Sequence, residues 1–204
     1  MTGVPKTRER ILTAAAALFH EKGFNGTSMA DLASQVGMTK SSLYHHFPKK
    51  QALLSEIIEV TVNRVTPLVQ QIAEADQPVR QRFHRAVAIH TAEAIRDQDA
   101  VACFIEEGRY LSSDFMAAHV LERDGYERLF RQIFEEGIVS GEFVDQDSEL
   151  AVRAILGMCN SVVRWYRADG RHTPDEIASL FADMAVRAAS AGASSPTLLE
   201  GGAP

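Results

Sequence analysis

The sequence predicts an all-α fold of about nine helices, on the recurrence of apolar residues at the three- and four-residue spacing of a helix. Two further observations support this. No stretch alternates apolar and polar residues as a half-buried strand does. The periodic segments are also bounded by helix signals, with hydroxyl side chains before them and glycine or proline after them.

The first helix is expected from about Thr7 to Lys22, with Thr7 as N-cap and Ile11, Ala15, Leu18 and Phe19 on one face. Gly23 then suits a left-handed C-cap, with Phe24 folding back on the last turn. Thr27 or Ser28 caps a second helix that ends near Gln35, its inward residues Met29, Leu32 and Ala33. Gly37 relaxes the steric limits of a tight turn between two nearly perpendicular helices. Thr39 caps a third helix whose buried side is Leu43 and Phe47. Pro48 suits the first turn of a long fourth helix carrying Leu53, Leu54, Ile57 and Ile58. Pro67 is expected to kink or interrupt that helix, because it lacks the amide the ladder needs.

Pro78 opens a helix through about Arg96, and a short apolar helix covers about Ala100 to Gly108. A break at Ser112 leads into a helix from about Phe115 to Ser140, which Gly141 stops. Two more follow, about Asp147–Arg167 and Thr173–Ala189. Thr173-Pro174-Asp175-Glu176 combines a hydroxyl cap, a proline at the first position and acids near the positive end of the dipole. After Ser190 the chain turns to Ala, Gly, Ser and Pro, the composition of a disordered tail over residues 191–204.

Hydrophobic residues make up 46% of the 204 and charged residues 24%, the mix of a globular protein. The N-terminus has no apolar core of a signal peptide and no run suggests a membrane span, so the expectation is a cytoplasmic protein. Cys103 and Cys159 lie far apart without metal-ligand spacing and are expected to be reduced, buried thiols. The net charge of −6 argues at first against a nucleic-acid partner. Its distribution reverses that. Residues 1–50 hold seven Lys+Arg and three Asp+Glu, a net +4, and residues 51–204 hold fourteen and twenty-four, a net −10. All five lysines fall in the first fifty residues. A phosphate backbone responds to local positive potential, so a basic head on an acidic body suits a DNA reader.

The stretch from Ser28 to Phe47 reads as a helix-turn-helix whose second helix keeps a polar face. Gly23-Phe24, Thr27-Ser28-Met29-Ala30-Asp31-Leu32-Ala33, Gly37, Ser42-Leu43-Tyr44-His45-His46-Phe47, Lys50 and Leu53 together resemble the TetR family of transcriptional repressors. The resemblance implies a three-helix DNA-binding domain over residues 1–50 and a helical ligand-binding and dimerisation domain over 51–190. It also implies a homodimer on a palindromic double-stranded operator, controlled by a small lipophilic effector. Thr27 and Ser28 lie at the start of the second helix. Thr39, Lys40 and Ser41 occupy the end of the third helix that points into the groove, where short or flexible donors reach base edges or phosphates. Tyr44 matches the family's contacting aromatic, His45 lies beside it, and Lys50 adds charge at the fourth helix as a phosphate clamp.

A second, shorter resemblance lies in Ser161–Ile177. Arg164-Trp165-Tyr166-Arg167, then Gly170-Arg171 and the Thr173-Pro174 helix start, looks like the segment joining the last two helices in regulators of lipid and sterol breakdown that respond to acyl-coenzyme A thioesters. Ala168-Asp169 departs from the proline and polar residue of many such relatives. Arg164 and Trp165 suit either a ligand pocket or a dimer seam. Phe104, Arg109, Tyr110, Phe130 and Phe134 belong to an aromatic-rich set expected to line a lipophilic cavity, or to be plain core. Met158, Val162, Tyr166, Ile177, Phe181 and Met184 are expected at a four-helix dimer seam. Glu106 and Glu107, if they face inward, favour a cationic drug and hence control of efflux. No Gly-rich phosphate loop, paired-histidine metal motif or nucleophile elbow points to an enzyme, a metal or a cofactor. A helical protein-interaction adaptor is the alternative outside the regulators.

Overall fold

The computed structural model describes residues 4–111 and 113–190. The expected tail after Ser190 lies outside the described residues. Among these there is no strand. The helices are α1 Val4–Lys22, α2 Met29–Gln35, α3 Lys40–His46, α4 Lys50–Ala73, α5 Val79–Arg96, α6 Gln98–Ala102, α7 Ser113–Val139, α8 Ser148–Asn160, α9 Val162–Trp165 and α10 Pro174–Ser190. α9 is a single turn that continues α8 past Ser161.

Local chemistry sets most boundaries. Ser28 and Asp31 form a reciprocal capping box, the Ser28 amide donating to the carboxylate at 2.8 Å and the Asp31 amide to the hydroxyl at 3.2 Å. The Thr39 hydroxyl accepts from the Ser42 amide at 3.2 Å. Thr173 and Glu176 build a second box at the start of α10. Gly37 has φ +69 and closes α2 with two bonds, its own amide to Ser34 O at 3.1 Å and that of Met38 to Ala33 O at 2.9 Å.

Four expectations need correction, the first being that Pro48 precedes Lys49, the N-cap of α4, rather than lying in the first turn. Thr7 lies inside α1 rather than capping it. α4 runs through Pro67 without a break. The carbonyl that Pro67 leaves without an amide donor belongs to Asn63, and both residues are exposed to solvent, where such a loss costs least. The expected helix over Ala100–Gly108 is instead α6, a π-helical turn over Cys103–Glu107 and a 3-10 turn over Gly108–Tyr110.

The core has three parts. The first holds α1 to α3 together, takes in Leu53 to Ile58 of α4, and closes against Ala100, Cys103 and Leu111. The second packs α4, α5, α7, α8 and α10 around Phe83, Phe130, Phe134 and Phe143. The third joins α5, α6, α9 and α10 around Ile95, Val162 and Ile177. The second part shows how tightly these helices are set. Phe143 is buried with its ring 5.3 Å from those of Phe83 and Phe134, and a Cβ on Gly137 would lie 2.1 Å from its Cδ2. Gly137→Ala is therefore expected to cost about 1–3 kcal/mol of stability by forcing that ring aside. Denaturant unfolding checks this, and a midpoint equal to that of the wild type would contradict the packing.

Candidate functional site

α3 presents two faces. Leu43 and Phe47 are buried, while Lys40, Ser41, Tyr44 and His45 are exposed side by side. Thr39 and Ser28 are exposed at the cap positions of α3 and α2. Six of the eight residues expected to meet DNA thus share an accessible polar surface at the helix-turn-helix.

The structure corrects the other two. Thr27 is buried, and its hydroxyl donates to the carbonyls of Leu18 and Gly23 at 3.1 and 3.0 Å. It holds the end of α1 and cannot reach a groove. The Lys50 ammonium turns inward. It donates to the carbonyls of Phe24 and Thr27 and lies 4.4 Å from the centre of the Phe24 ring. Burial lowers its pKa below the ordinary lysine value. Lys50 pins the start of α4 to the turn after α1. Lys50→Ala is expected to lower stability by about 1–3 kcal/mol, leaving the Thr27 carbonyl without its donor and the Phe24 carbonyl with only the Thr27 amide at 3.4 Å. The salt dependence of DNA binding is expected to stay unchanged, and a slope flattened by about one unit would return Lys50 to the phosphate contacts.

The head docks on the segment after α5. The His20 ring lies 2.7 Å from the Asp99 carboxylate, and the Phe24 ring stacks on Tyr110 at 5.6 Å. Buried Glu107 accepts from the Phe24 amide at 3.3 Å, and Gln51 donates to Tyr110 O at 3.1 Å. The other side of this segment faces a cavity of about 240 Å³ walled by α4 to α8. Val101 and Phe104 lie on that wall. One short segment thus borders the cavity and grips the head.

Of the seven side chains expected to line a ligand site, Phe104 borders this cavity. Phe130 lies one layer behind, edge-on to His90 and Tyr126, and Phe134 is core beside Phe83 and Phe143. Tyr110 belongs to the head contact, and exposed Arg109 lies over its ring at 5.0 Å. Arg164 pairs on the surface with Glu106 at 3.0 Å. Trp165 is half-exposed against Phe181. The carboxylates of Glu106 and Glu107 therefore both lie away from the cavity, and the argument for a cationic drug loses its basis.

The cavity's polar residues were missed: Thr61, Arg64, His90, Glu93, Arg123, Tyr126, Glu127, Arg153 and Asn160. A signal exists. His90 follows Phe83 and Val87 and precedes Ala94 at helical spacing, so it interrupts an apolar stripe. Tyr126 before Phe130 and Asn160 after Leu156 do the same. A polar residue on a core stripe needs a buried partner or a ligand. His90 Nδ1 lies 2.9 Å from Tyr126 Oη and its Nε2 3.1 Å from Asn160 Oδ1. Its ring keeps some surface where it borders the cavity, yet protein surrounds it, and burial pushes its pKa down to about 4. The ring is neutral at physiological pH. Glu93 holds Arg64 Nε at 3.3 Å and Arg96 Nη1 at 2.9 Å, while Arg64 Nη1 also meets Asp97 at 2.6 Å. Glu127 holds Arg153 at 3.3 Å. Neither carboxylate on the wall is left without a cation.

Among the residues expected at a dimer seam, Met184 is exposed and Met158 and Phe181 are partly so. Leu150 and Leu180 are exposed on the same two helices, α8 and α10. Val162 and Ile177 are a correction. Both are buried inside one chain, in the third core cluster, with Tyr166 packed against it. They turn toward α5 and α6, leaving the outward side of the stripe to their neighbours. Cys103 and Cys159 are free and buried, and burial pushes their thiols up to about 12 and about 11.

Comparisons with known proteins match two stretches of the chain. Residues 11–57 match the family of bacterial regulatory proteins, tetR family, and residues 76–189 match the tetracyclin repressor-like C-terminal domain. The HTH-type transcriptional repressor KstR2 of Rhodococcus jostii is 28% identical over 182 residues, covering 88% of this chain and 89% of that protein. The crystal structure of the TetR family regulator PfmR from Thermus thermophilus is 31% identical with a TM-score of 0.80, over 87% of this chain and 97% of that one. AibR, solved in complex with isovaleryl coenzyme A and operator DNA, shares the fold at 24% identity and a TM-score of 0.79, over 90% of this chain and 98% of its own.

Proposed function

This chain belongs to the TetR family of bacterial regulatory proteins, and on that premise we propose that it is an effector-controlled repressor acting as a homodimer on a palindromic operator. The observation that carries the proposal is the segment from Val101 to Tyr110, which borders the cavity on one side and holds the head on the other. A ligand that binds one arrangement of this segment better than another biases the position of the head. In a dimer the two third helices must match successive major grooves, roughly 34–36 Å apart. Releasing DNA a hundredfold takes about 2.7 kcal/mol of differential binding.

The partly exposed apolar residues of α8 and α10, with Trp165 beside Phe181, support a seam between two copies. For the effector, the proposal is an acyl thioester of coenzyme A. The cavity suits a lipophilic acyl group, its carboxylates are already paired, and AibR carries such a thioester on the same fold.

A gel shift on DNA from upstream of this protein's own gene, with and without a panel of acyl-coenzyme A thioesters, tests both levels. A shifted band that one thioester releases is the expected result. A shifted band that none touches overturns the effector class and keeps the regulator. No shift across genomic fragments at low salt overturns DNA binding and favours the adaptor.

A further inference from the structure

The deep wall of the cavity carries a hydrogen-bonded chain whose direction its own chemistry fixes. His90 is on α5, Tyr126 on α7 and Asn160 at the end of α8. A neutral imidazole has one N–H, and a carboxamide oxygen accepts only. His90 Nε2, facing Asn160 Oδ1, therefore carries the hydrogen. Nδ1 is then an acceptor, and the Tyr126 hydroxyl donates to it. The chain runs from Tyr126 through His90 to Asn160. It ends at the Asn160 Nδ2, which has two N–H groups and no partner among the described residues. Such chains polarise their members, so the terminal donor is strengthened.

The other donors on the wall are the guanidinium groups of Arg64, Arg123 and Arg153, which face Glu93 and Asp97, Asp124, and Glu127 and Glu149. Val62, Val65, Ala94 and Leu156 are apolar, the Thr61 hydroxyl already donates to Ile57 O at 2.8 Å, and the two carboxylates hold guanidinium groups. A cation meets carboxylates that already face guanidinium groups, Glu93 Oε2 lying 3.3 Å from Arg64 Nε without a hydrogen bond. A purely apolar ligand covers the Asn160 N–H groups without giving them a partner, which costs about 1–3 kcal/mol. At about 240 Å³ the space lies below the roughly 300–1,000 Å³ of drug-sized pockets, so it seats a compact group.

Resting on the reading of this cavity as the effector site, we propose that its inner end is a subsite for a neutral carbonyl oxygen on a compact apolar skeleton, received by the carboxamide N–H groups of Asn160. The effector class narrows accordingly to apolar groups bearing a ketone or thioester carbonyl. The polarity of the chain makes the subsite a donor toward ligand, discriminating against amines and plain hydrocarbons.

The test uses the full-length protein without DNA and the compact ketone decalone as probe, its carbonyl isotope-labelled. Binding is followed by calorimetry and by the infrared carbonyl stretch. Methylenedecalin, with a methylene in place of the oxygen, is the matched control. The expected result is a stretch shifted to lower wavenumber on binding, with decalone at least about tenfold tighter than methylenedecalin, equivalent to about 1.4 kcal/mol. Asn160→Asp keeps the size but removes the N–H donors, and is expected to abolish both effects. Tyr126→Phe is expected to keep the shifted stretch. Equal affinity of both skeletons for the wild type overturns the subsite while leaving the cavity as an effector site. A shifted stretch retained in Asn160→Asp and lost in Tyr126→Phe overturns the direction of the chain. Binding of neither skeleton overturns the subsite and the effector cavity together. Circular dichroism confirms that each variant is folded.

Discussion

Tyr44→Ala is expected to weaken operator binding at least about a hundredfold while leaving helix content and the dimer unchanged. Tyr44 is 46% exposed on α3, beside Lys40, Ser41 and His45 and on the opposite side from buried Leu43 and Phe47. Its removal takes nothing from the core. A good contact to a base edge contributes about 1–3 kcal/mol, and a dimer makes it twice, so the loss spans about 2–6 kcal/mol. A hundredfold needs about 2.7 kcal/mol, near the lower end of that range. Fluorescence anisotropy with labelled operator measures the affinity, and sedimentation measures the dimer. Wild-type affinity in the folded variant would remove α3 from the role of recognition helix.

Arg64→Gln is expected to separate effector binding from DNA release. Arg64 is on α4 and borders both the cavity and a smaller cleft of about 170 Å³ between α1, α4 and α6. Its guanidinium meets Glu93 on the cavity wall and Asp97 at the junction of α5 and α6. Asp97 leads through α6 into the turn whose Glu107 holds Phe24 of the head. A ligand that shifts Glu93 is thus felt by α4 and α6 through one side chain. Glutamine keeps a polar group there but loses the charge and the fork that spans two carboxylates. Operator affinity without effector is expected within about threefold of wild type, since Arg64 is remote from α3. The release caused by a saturating effector is expected to fall from about a hundredfold to below about tenfold, a loss of at least about 1.4 kcal/mol of coupling. Titrating operator with and without the thioester that releases the wild type measures this. Undiminished release would place the coupling in rigid movement of α4 alone.

The two corrections in the head have one origin. Thr27 and Lys50 are the residue types that DNA-binding surfaces use, and they stand where such surfaces begin. The Thr27 hydroxyl nevertheless closes on Leu18 and Gly23, and Lys50 reaches back over 26 residues to Phe24. Composition gives a side chain's chemistry, while its partner depends on which turn folds beside it. The aromatic set in the body was misplaced for a related reason. Phe130 and Phe134 were correctly apolar and inward, but inward meant the core between α5 and α7, and the cavity lies one layer away. The polar residues on its wall were legible as interruptions of apolar stripes at His90, Tyr126 and Asn160. Periodicity shows such an interruption, but not that three of them from three helices meet within hydrogen-bond distance.

Read alone, the sequence determined the all-helical fold, the ends of most helices, the helix-turn-helix and its polar face. These depend on forces acting within a turn or two: caps that satisfy free amides, glycines that accept positive φ, and the spacing that puts apolar residues on one side. The tertiary structure alone decided where the cavity lies, which carboxylates are neutralised, that Lys50 is a pin, and that the segment after α5 serves cavity and head together. Those contacts join residues from 23 to 83 positions apart. Their strength depends on burial and dielectric, which exist only once the helices have packed.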